Sequence, residues 1–130
     1  MKQGLIHHVE INVSNLQATI IFWDFLEELG YEVFQKWEHG QSWKLGDTYI
    51  VFVQTVEKFL DVPYHRCRTG LNHLAFYGKS REHVDELALR LKEKGATILY
   101  EDKYPYAGGE DHYALYFEDP DRIKVEIVAP

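Results

Sequence analysis

Apolar and polar residues alternate near the start of the chain, with Val9, Ile11 and Val13 on one side and His8, Glu10 and Asn12 on the other. A period of two predicts a half-buried strand over residues 6–13. Ser14 and Asn15 are good helix N-caps. Leu16, Ile20, Phe22, Trp23, Leu26 and Leu29 then recur at helical spacing, which predicts a helix over residues 16–29 with Gly30 as its stop. Strands follow over residues 31–38, 42–45 and 48–55, separated by turns at His39-Gly40-Gln41 and Gly46-Asp47. Residues 56–69 carry Pro63 and little periodicity, and read as a connection. The pattern then starts again. A strand over residues 71–77 leads to Ser80 and a helix whose apolar stripe is Val84, Leu87, Ala88 and Leu91, ended by Gly95. Strands are predicted over residues 97–102, 112–118 and 123–128. A loop containing Pro105 and Gly108-Gly109 precedes the middle one, and the turn Asp119-Pro120-Asp121-Arg122 follows it.

The second half repeats the first. Gly70-Leu71-Asn72-His73-Leu74-Ala75-Phe76 reads against Gly4-Leu5-Ile6-His7-His8-Val9-Glu10-Ile11 with His73 on His8, and Gly30 and Gly95 each lie 22 residues after their histidine. Two copies of strand, helix and three strands suit a pseudo-symmetric pair rather than a solenoid, which needs three or more. The domain reading is a single domain over residues 1–130: module one about 4–56, connection 57–69, module two about 70–130.

The formal net charge of −7 argues against a nucleic-acid surface, which needs a basic footprint. No apolar run approaches a membrane span, and no signal-peptide core follows Met1-Lys2-Gln3-Gly4. The single cysteine, Cys67, excludes an internal disulfide and fits a reducing compartment, so a cytoplasmic protein is expected. His65-Arg66-Cys67-Arg68 is a basic cluster in an acidic chain. It reads as an exposed linker, with the holding of an anionic group as the alternative.

The candidate chemistry lies on the polar strand faces. His8 and His73 point away from the helix-packed sides of their strands, and Glu126, between Val125 and Ile127, does the same. If the repeats pack as a pseudo-twofold pair, these three share one concavity. Two imidazoles and a carboxylate beside open positions suit a divalent ion such as Mn, Fe, Ni or Zn, which would polarise a substrate oxygen. His7 competes with His8, because residues 4–7 also match residues 70–73. Glu10 shares the face of His8 and is a candidate general base or a residue orienting a ligand. Asn12, Tyr77 and Lys124 are candidate substrate contacts on the same faces; Lys124 is equally readable as a surface residue, and Glu10 as part of a solvated strand face.

Ile6-His7-His8-Val9-Glu10-Ile11-Asn12-Val13, Phe22-Trp23 with Leu29-Gly30, residues 70–76, and Tyr116-Phe117-Glu118-Asp119-Pro120-Asp121 followed by Val125-Glu126-Ile127 together resemble the vicinal oxygen chelate superfamily. This is the glyoxalase, fosfomycin-resistance, bleomycin-resistance and extradiol dioxygenase group. The resemblance covers nearly the whole chain. It implies an α+β fold of two βαβββ modules forming a curved, cup-like mixed sheet with helices on the outside. It also implies metal ligands at His8, His73 and Glu126, and a homodimer. The implied activity is that of a divalent-metal-dependent enzyme acting on a small molecule chelated through adjacent oxygens. The alternative is a metal-free protein that sequesters a small molecule, as the bleomycin-resistance members do. Three departures from the family pattern stand out. Arg122 replaces a common Gly after the Asp-Pro-Asp turn, and Phe22-Trp23 replaces Phe-Tyr. Where glyoxalase I-like members place a fourth ligand, this chain has Phe52, with Gln54 the nearest residue able to ligate. A three-ligand site is therefore favoured over a lactoylglutathione lyase.

Overall fold

Both halves of the repeat fold as strand, helix and three strands. The computed structural model describes residues 2–130 and divides after Pro63 into two units. The first contains β1 (His8–Val13), α1 (Leu16–Trp23), β2 (Glu32–Trp37), β3 (Gly40–Leu45) and β4 (Thr48–Gln54). The second contains β5 (His73–Tyr77), α2 (Arg81–Glu93), β6 (Thr97–Leu99), β7 (Ala114–Glu118) and β8 (Lys124–Val128). Each unit forms its own open, mixed four-stranded sheet, ordered β1-β4-β3-β2 in one and β5-β8-β7-β6 in the other. In both, the first and last strands pair in parallel and the remaining neighbours are antiparallel. The architecture is α+β, as the pattern predicts.

The repeat extends to the helix ends. Asn15 Oδ1 accepts from the Ala18 amide, and Ser80 Oγ accepts from the His83 amide. At the other ends Gly30 (φ +99°) and Gly95 (φ +84°) adopt the left-handed conformation that glycine enters without a Cβ penalty. The amides of Tyr31 and Ala96 then close back on the carbonyls of Leu26 and Leu91, the same Schellman closure twice.

Several elements differ from the sequence pattern: β3 takes in Gly40 and Gln41, expected in a turn, and the strand expected over 112–118 begins only at Ala114. The predicted helix 16–29 is α-helical only to Trp23 and tightens to a 3-10 helix over Asp24–Leu29. Three residues per turn bring Trp23, Leu26 and Leu29 onto one edge, and Trp23, Phe25 and Leu26 are buried there. The Trp23 ring packs 4.7 Å from Phe52, which in turn meets Trp43. The strand expected over 97–102 stops at Leu99, because Tyr100 takes a left-handed backbone (φ +54°) that opens a short 3-10 turn over Glu101–Lys103.

In the second unit alternation sorts the sheet faces. Leu115, Phe117, Val125 and Ile127 are fully buried, as are Val84, Leu87 and Leu91 of α2, which lies against β6 and β7. The register pairs His73 with Lys124, Glu126 with Tyr116, and Lys124 with Glu118, so these five side chains share the opposite face.

Candidate functional site

Glu126 is the centre of that polar face. Its residue is only 5% exposed, yet both carboxylate oxygens have polar partners. Oε1 lies 3.1 Å from His73 Nε2, and Oε2 accepts from His112 Nε2 and from the Tyr116 hydroxyl at 3.2 Å. Burial first, and then the charge of Glu126, pushes the Tyr116 phenol up to about 12, so it stays a neutral donor. His73 Nδ1 lies 2.7 Å from Asn72 Oδ1. An amide oxygen can only accept, so Nδ1 carries a proton, and in the neutral imidazole Nε2 turns its lone pair toward the carboxylate. Two facing lone pairs repel unless a proton or a cation lies between them.

The donor set fits a divalent ion. Ligand atoms about 2.1 Å from one ion and at right angles to each other are about 3.0 Å apart, close to the 3.1 Å between Nε2 and Oε1. Asn72 fixes the tautomer of His73 as partners of metal-bound histidines do. Among the described residues, however, no three or more His, Cys, Asp or Glu side chains are already arranged to enclose an ion.

A pocket of about 400 Å³ opens beside Glu126, lined by His73, Tyr100, Tyr116, Lys124 and Gly108 among others. Lys124 lies between two rings, 5.0 Å from the Tyr100 centroid and 5.2 Å from that of Tyr116, and donates to the Tyr100 hydroxyl at 3.1 Å. Gly108 gives the loop before β7 its close approach. A Cβ there would stand 2.5 Å from the Tyr116 hydroxyl and 2.7 Å from His112 Cδ2, so only glycine fits without displacing one of them.

At the end of the same face Glu118 joins Arg66 and Arg122. Arg66 Nη1 and Arg122 Nε (3.1 Å) both donate to Oε2. Burial pushes the Glu118 carboxyl up, but the two guanidiniums outweigh it and hold the group below the ordinary carboxylate value. Arg66 is thus not part of an exposed linker, since its side chain is 16% exposed and ties the connection to β7.

The remaining candidates are placed as follows. In the first unit His8 stacks on Tyr49, its register neighbour on β4, at 4.7 Å and 3° between planes. His7 meets the same ring edge-on, and the two histidines approach at 2.8 Å between their Nδ1 atoms. Glu10 and Asn12 are exposed along β1, and Tyr77, at the end of β5, is 79% exposed. Gln54 is occupied elsewhere. Its Oε1 accepts from the Leu16 amide and its Nε2 donates to the Ser14 carbonyl, both at 2.8 Å. It closes the entry to α1.

Sequence reasoning missed His112, Tyr116 and Tyr100. Alternation along β7 against Leu115 and Phe117 could have placed Tyr116 beside Glu126. His112 opened the strand expected over 112–118, in phase with Tyr116, and was not connected to Glu126; the structure starts β7 only at Ala114 and leaves His112 in the loop before it.

The model of the Glyoxalase/Bleomycin resistance protein/Dioxygenase superfamily matches residues 5–127. The chain belongs to that superfamily. It is 55% identical over 126 residues to the Bacillus subtilis (strain 168) protein YqjT, covering 96% of this chain and 98% of that one. It is 29% identical to glutathione transferase FosA of Serratia marcescens, over 94% of this chain and 78% of that one. The crystal structure of a proposed glyoxalase from Bacillus halodurans superposes with a TM-score of 0.97 at 62% identity, covering 99% of this chain and 98% of that one. The α+β fold and the superfamily read from the sequence are therefore established. No helix of the described residues is long and apolar enough to cross a membrane.

Proposed function

We propose that this superfamily member is a divalent-metal-dependent enzyme acting on a small molecule chelated through adjacent oxygens. The ligand set is His8, His73 and Glu126, and the ion is Mn, Fe, Ni or Zn, which suit imidazole and carboxylate donors. The observation that carries the reading is the facing pair of His73 Nε2 and Glu126 Oε1, with Asn72 directing the proton to the far nitrogen. When bound, the ion would act as a Lewis acid on a substrate oxygen. The chain's own contribution is to hold the carboxylate through His112 and Tyr116, and to offer Glu10, on the face of His8, as a base. FosA is a glutathione transferase by name, which makes group addition to the chelated molecule one reaction to test.

A second reading is a metal-free sequestering protein of the bleomycin-resistance type. It is favoured by one feature: both oxygens of Glu126 already have protein partners. Metal content separates the two. Purified protein, dialysed and then reconstituted with Mn(II) or Zn(II), should retain about one ion per chain. If it holds no more than the His8→Ala/His73→Ala double variant, the metal reading fails and the sequestering one stands.

The assembly we propose is a symmetric homodimer working in the cytoplasm. The ladders end at β1 and β2 in one sheet and at β5 and β6 in the other, and open edges invite pairing. Strand β2 also exposes Val33, Phe34 and Trp37. Sedimentation at micromolar concentration should show a dimer, and a monomer there would refute the assembly.

A further inference from the structure

We infer that a pocket on the helix side of the second sheet is a separate ligand site, built for a small molecule with an apolar or aromatic body and one ammonium group. The pocket has a volume of about 390 Å³ and is lined from α2, β6, β7 and the loop between those strands. That is within the usual range for a small-molecule site. Ala88, Leu89, Ile98 and Leu115 give it apolar walls, and Tyr104 and Tyr113 add aromatic ones. Leu115 alternates with Tyr116 along β7, so this pocket and Glu126 belong to opposite faces of the sheet. Leu89 is 64% exposed, apolar surface that the body of such a ligand would cover.

Asp85 is the unspent charge of this pocket. The Tyr104 and Tyr113 hydroxyls both donate to its Oδ1, the second at 2.7 Å. Two neutral donors orient the carboxylate without cancelling its charge, and Oδ2 is left to accept from a ligand. Burial first, and then the bond to Asp85, pushes the Tyr104 phenol up, and the bond to Asp85 pushes up that of Tyr113, so both remain protonated donors. Among the described residues Asp85 has no cationic partner. Arg81, one turn earlier on α2, lies over the Tyr113 ring at 4.9 Å instead. The other two charged groups of the pocket, Lys92 and Glu101, pair with each other. What remains is one negative charge set among rings and apolar side chains. An ammonium answers it twice, as a charged donor to the carboxylate and as a cation beside tyrosine rings. An anionic ligand would meet repulsion there.

The inference does not depend on the metal reading, and metal-free protein tests it. The probe is 2-phenylethylamine, with 2-phenylethanol as the uncharged body and 3-phenylpropanoate as the anion. Each is titrated into the full chain while amide chemical shifts are followed by NMR. The amine should saturate wild type below about 10 mM, bind at least about tenfold more tightly than the alcohol or the anion, and move the amides of Asp85, Leu89, Ile98 and Tyr113. Asp85→Asn keeps an oxygen that accepts from both phenols but loses the charge. It should weaken the amine at least about tenfold, the size of one charge-assisted hydrogen bond, and change the alcohol by less than about threefold. Leu89→Lys sets a like charge at the pocket from an exposed helix position and should also weaken the amine at least about tenfold. Melting temperature checks the fold, and if Asp85→Asn does not fold, Leu89→Lys decides. Amine affinity in a folded variant equal to that of wild type overturns the inference. So does failure to saturate wild type, equal binding of amine and alcohol, or shifts gathered at His73 and Glu126 instead of the helix side.

Discussion

His112 Nε2 donates to Glu126 Oε2 from a loop, across to a strand of the sheet. The segment before β7 is therefore part of the site. Gly108 makes the arrangement possible by letting the loop backbone settle against Tyr116 and His112. With His112 and Tyr116 both donating to Oε2, the carboxylate is fixed so that Oε1 faces His73 Nε2.

The first expected outcome concerns that grip. His112→Leu removes one of the two donors on Oε2, leaving the Tyr116 hydroxyl alone to hold the carboxylate on that side. Loss of such an outer hydrogen bond typically weakens metal binding by about 10- to 100-fold. His112→Gln, which keeps a donor, should recover most of the loss. Gly108→Ala should act in the same direction, because its methyl must push His112 or Tyr116 aside, and it should cost about 1–3 kcal/mol of stability. Calorimetric Mn(II) titrations of the three variants check this, and unchanged affinity in His112→Leu would make His112 a bystander.

Glu126→Gln tests the carboxylate itself. The amide keeps the shape but loses the anionic oxygen and turns one acceptor into a donor facing a donor. Mn(II) or Zn(II) affinity should fall by about 100-fold or more, while the domain remains folded with a stability loss of about 1–3 kcal/mol. Affinity equal to wild type would remove Glu126 from the ligand set.

The sequence made most of this geometry legible through two periodicities. Alternation along β8 put Glu126 opposite Val125 and Ile127, and the structure buries those two while the carboxylate faces His73. The spacing from His8 to Gly30 and from His73 to Gly95 marked equivalent helix ends, and both glycines close them in the same way. What stayed hidden depends on contacts that no period encodes. His112 reaches Glu126 from irregular backbone. Tyr100 ends β6 by a left-handed turn, a conformation tyrosine has no local reason to adopt. Gln54 reads as a polar strand end and is consumed by the start of α1, 38 positions away in sequence from the Leu16 amide it accepts.

Arg122 explains one departure from the family pattern. It has φ +67°, the left-handed region where a side chain costs roughly 1 kcal/mol and glycine costs nothing. Arg122 offsets that cost through its Nε contact to Glu118, although the side chain is 60% exposed, which limits the pair to less than about 1 kcal/mol. Arg122→Gly should therefore be nearly neutral, since relief of strain balances the lost pair. Arg122→Ala loses the pair without the relief and should be less stable than Arg122→Gly by about 1 kcal/mol. Urea denaturation of both variants measures the gap, and its absence would mean the turn carries no strain.

The last expectation follows from Glu118 and pH. Its carboxyl is buried, which alone would favour the protonated form, but Arg66 and Arg122 reverse the balance and lower it below the ordinary value of 4.5. A group that binds its proton less readily in the folded chain than in the unfolded chain stabilises the fold wherever it is ionised in both. That contribution is complete above 4.5 and is lost as pH falls through the lower, folded value. Near neutral pH, Glu118→Gln leaves the half-buried Arg66 guanidinium without its counter-charge and should cost about 2–3 kcal/mol. In acid the wild-type carboxyl takes up its proton as well, the two proteins become chemically alike at this position, and the difference should shrink toward zero. Urea denaturation of wild type and Glu118→Gln at about pH 7 and about pH 3 measures both ends of this range. A stability gap of the same size at both would show that the arginines do not hold Glu118 ionised, and that the variant's cost comes from packing alone.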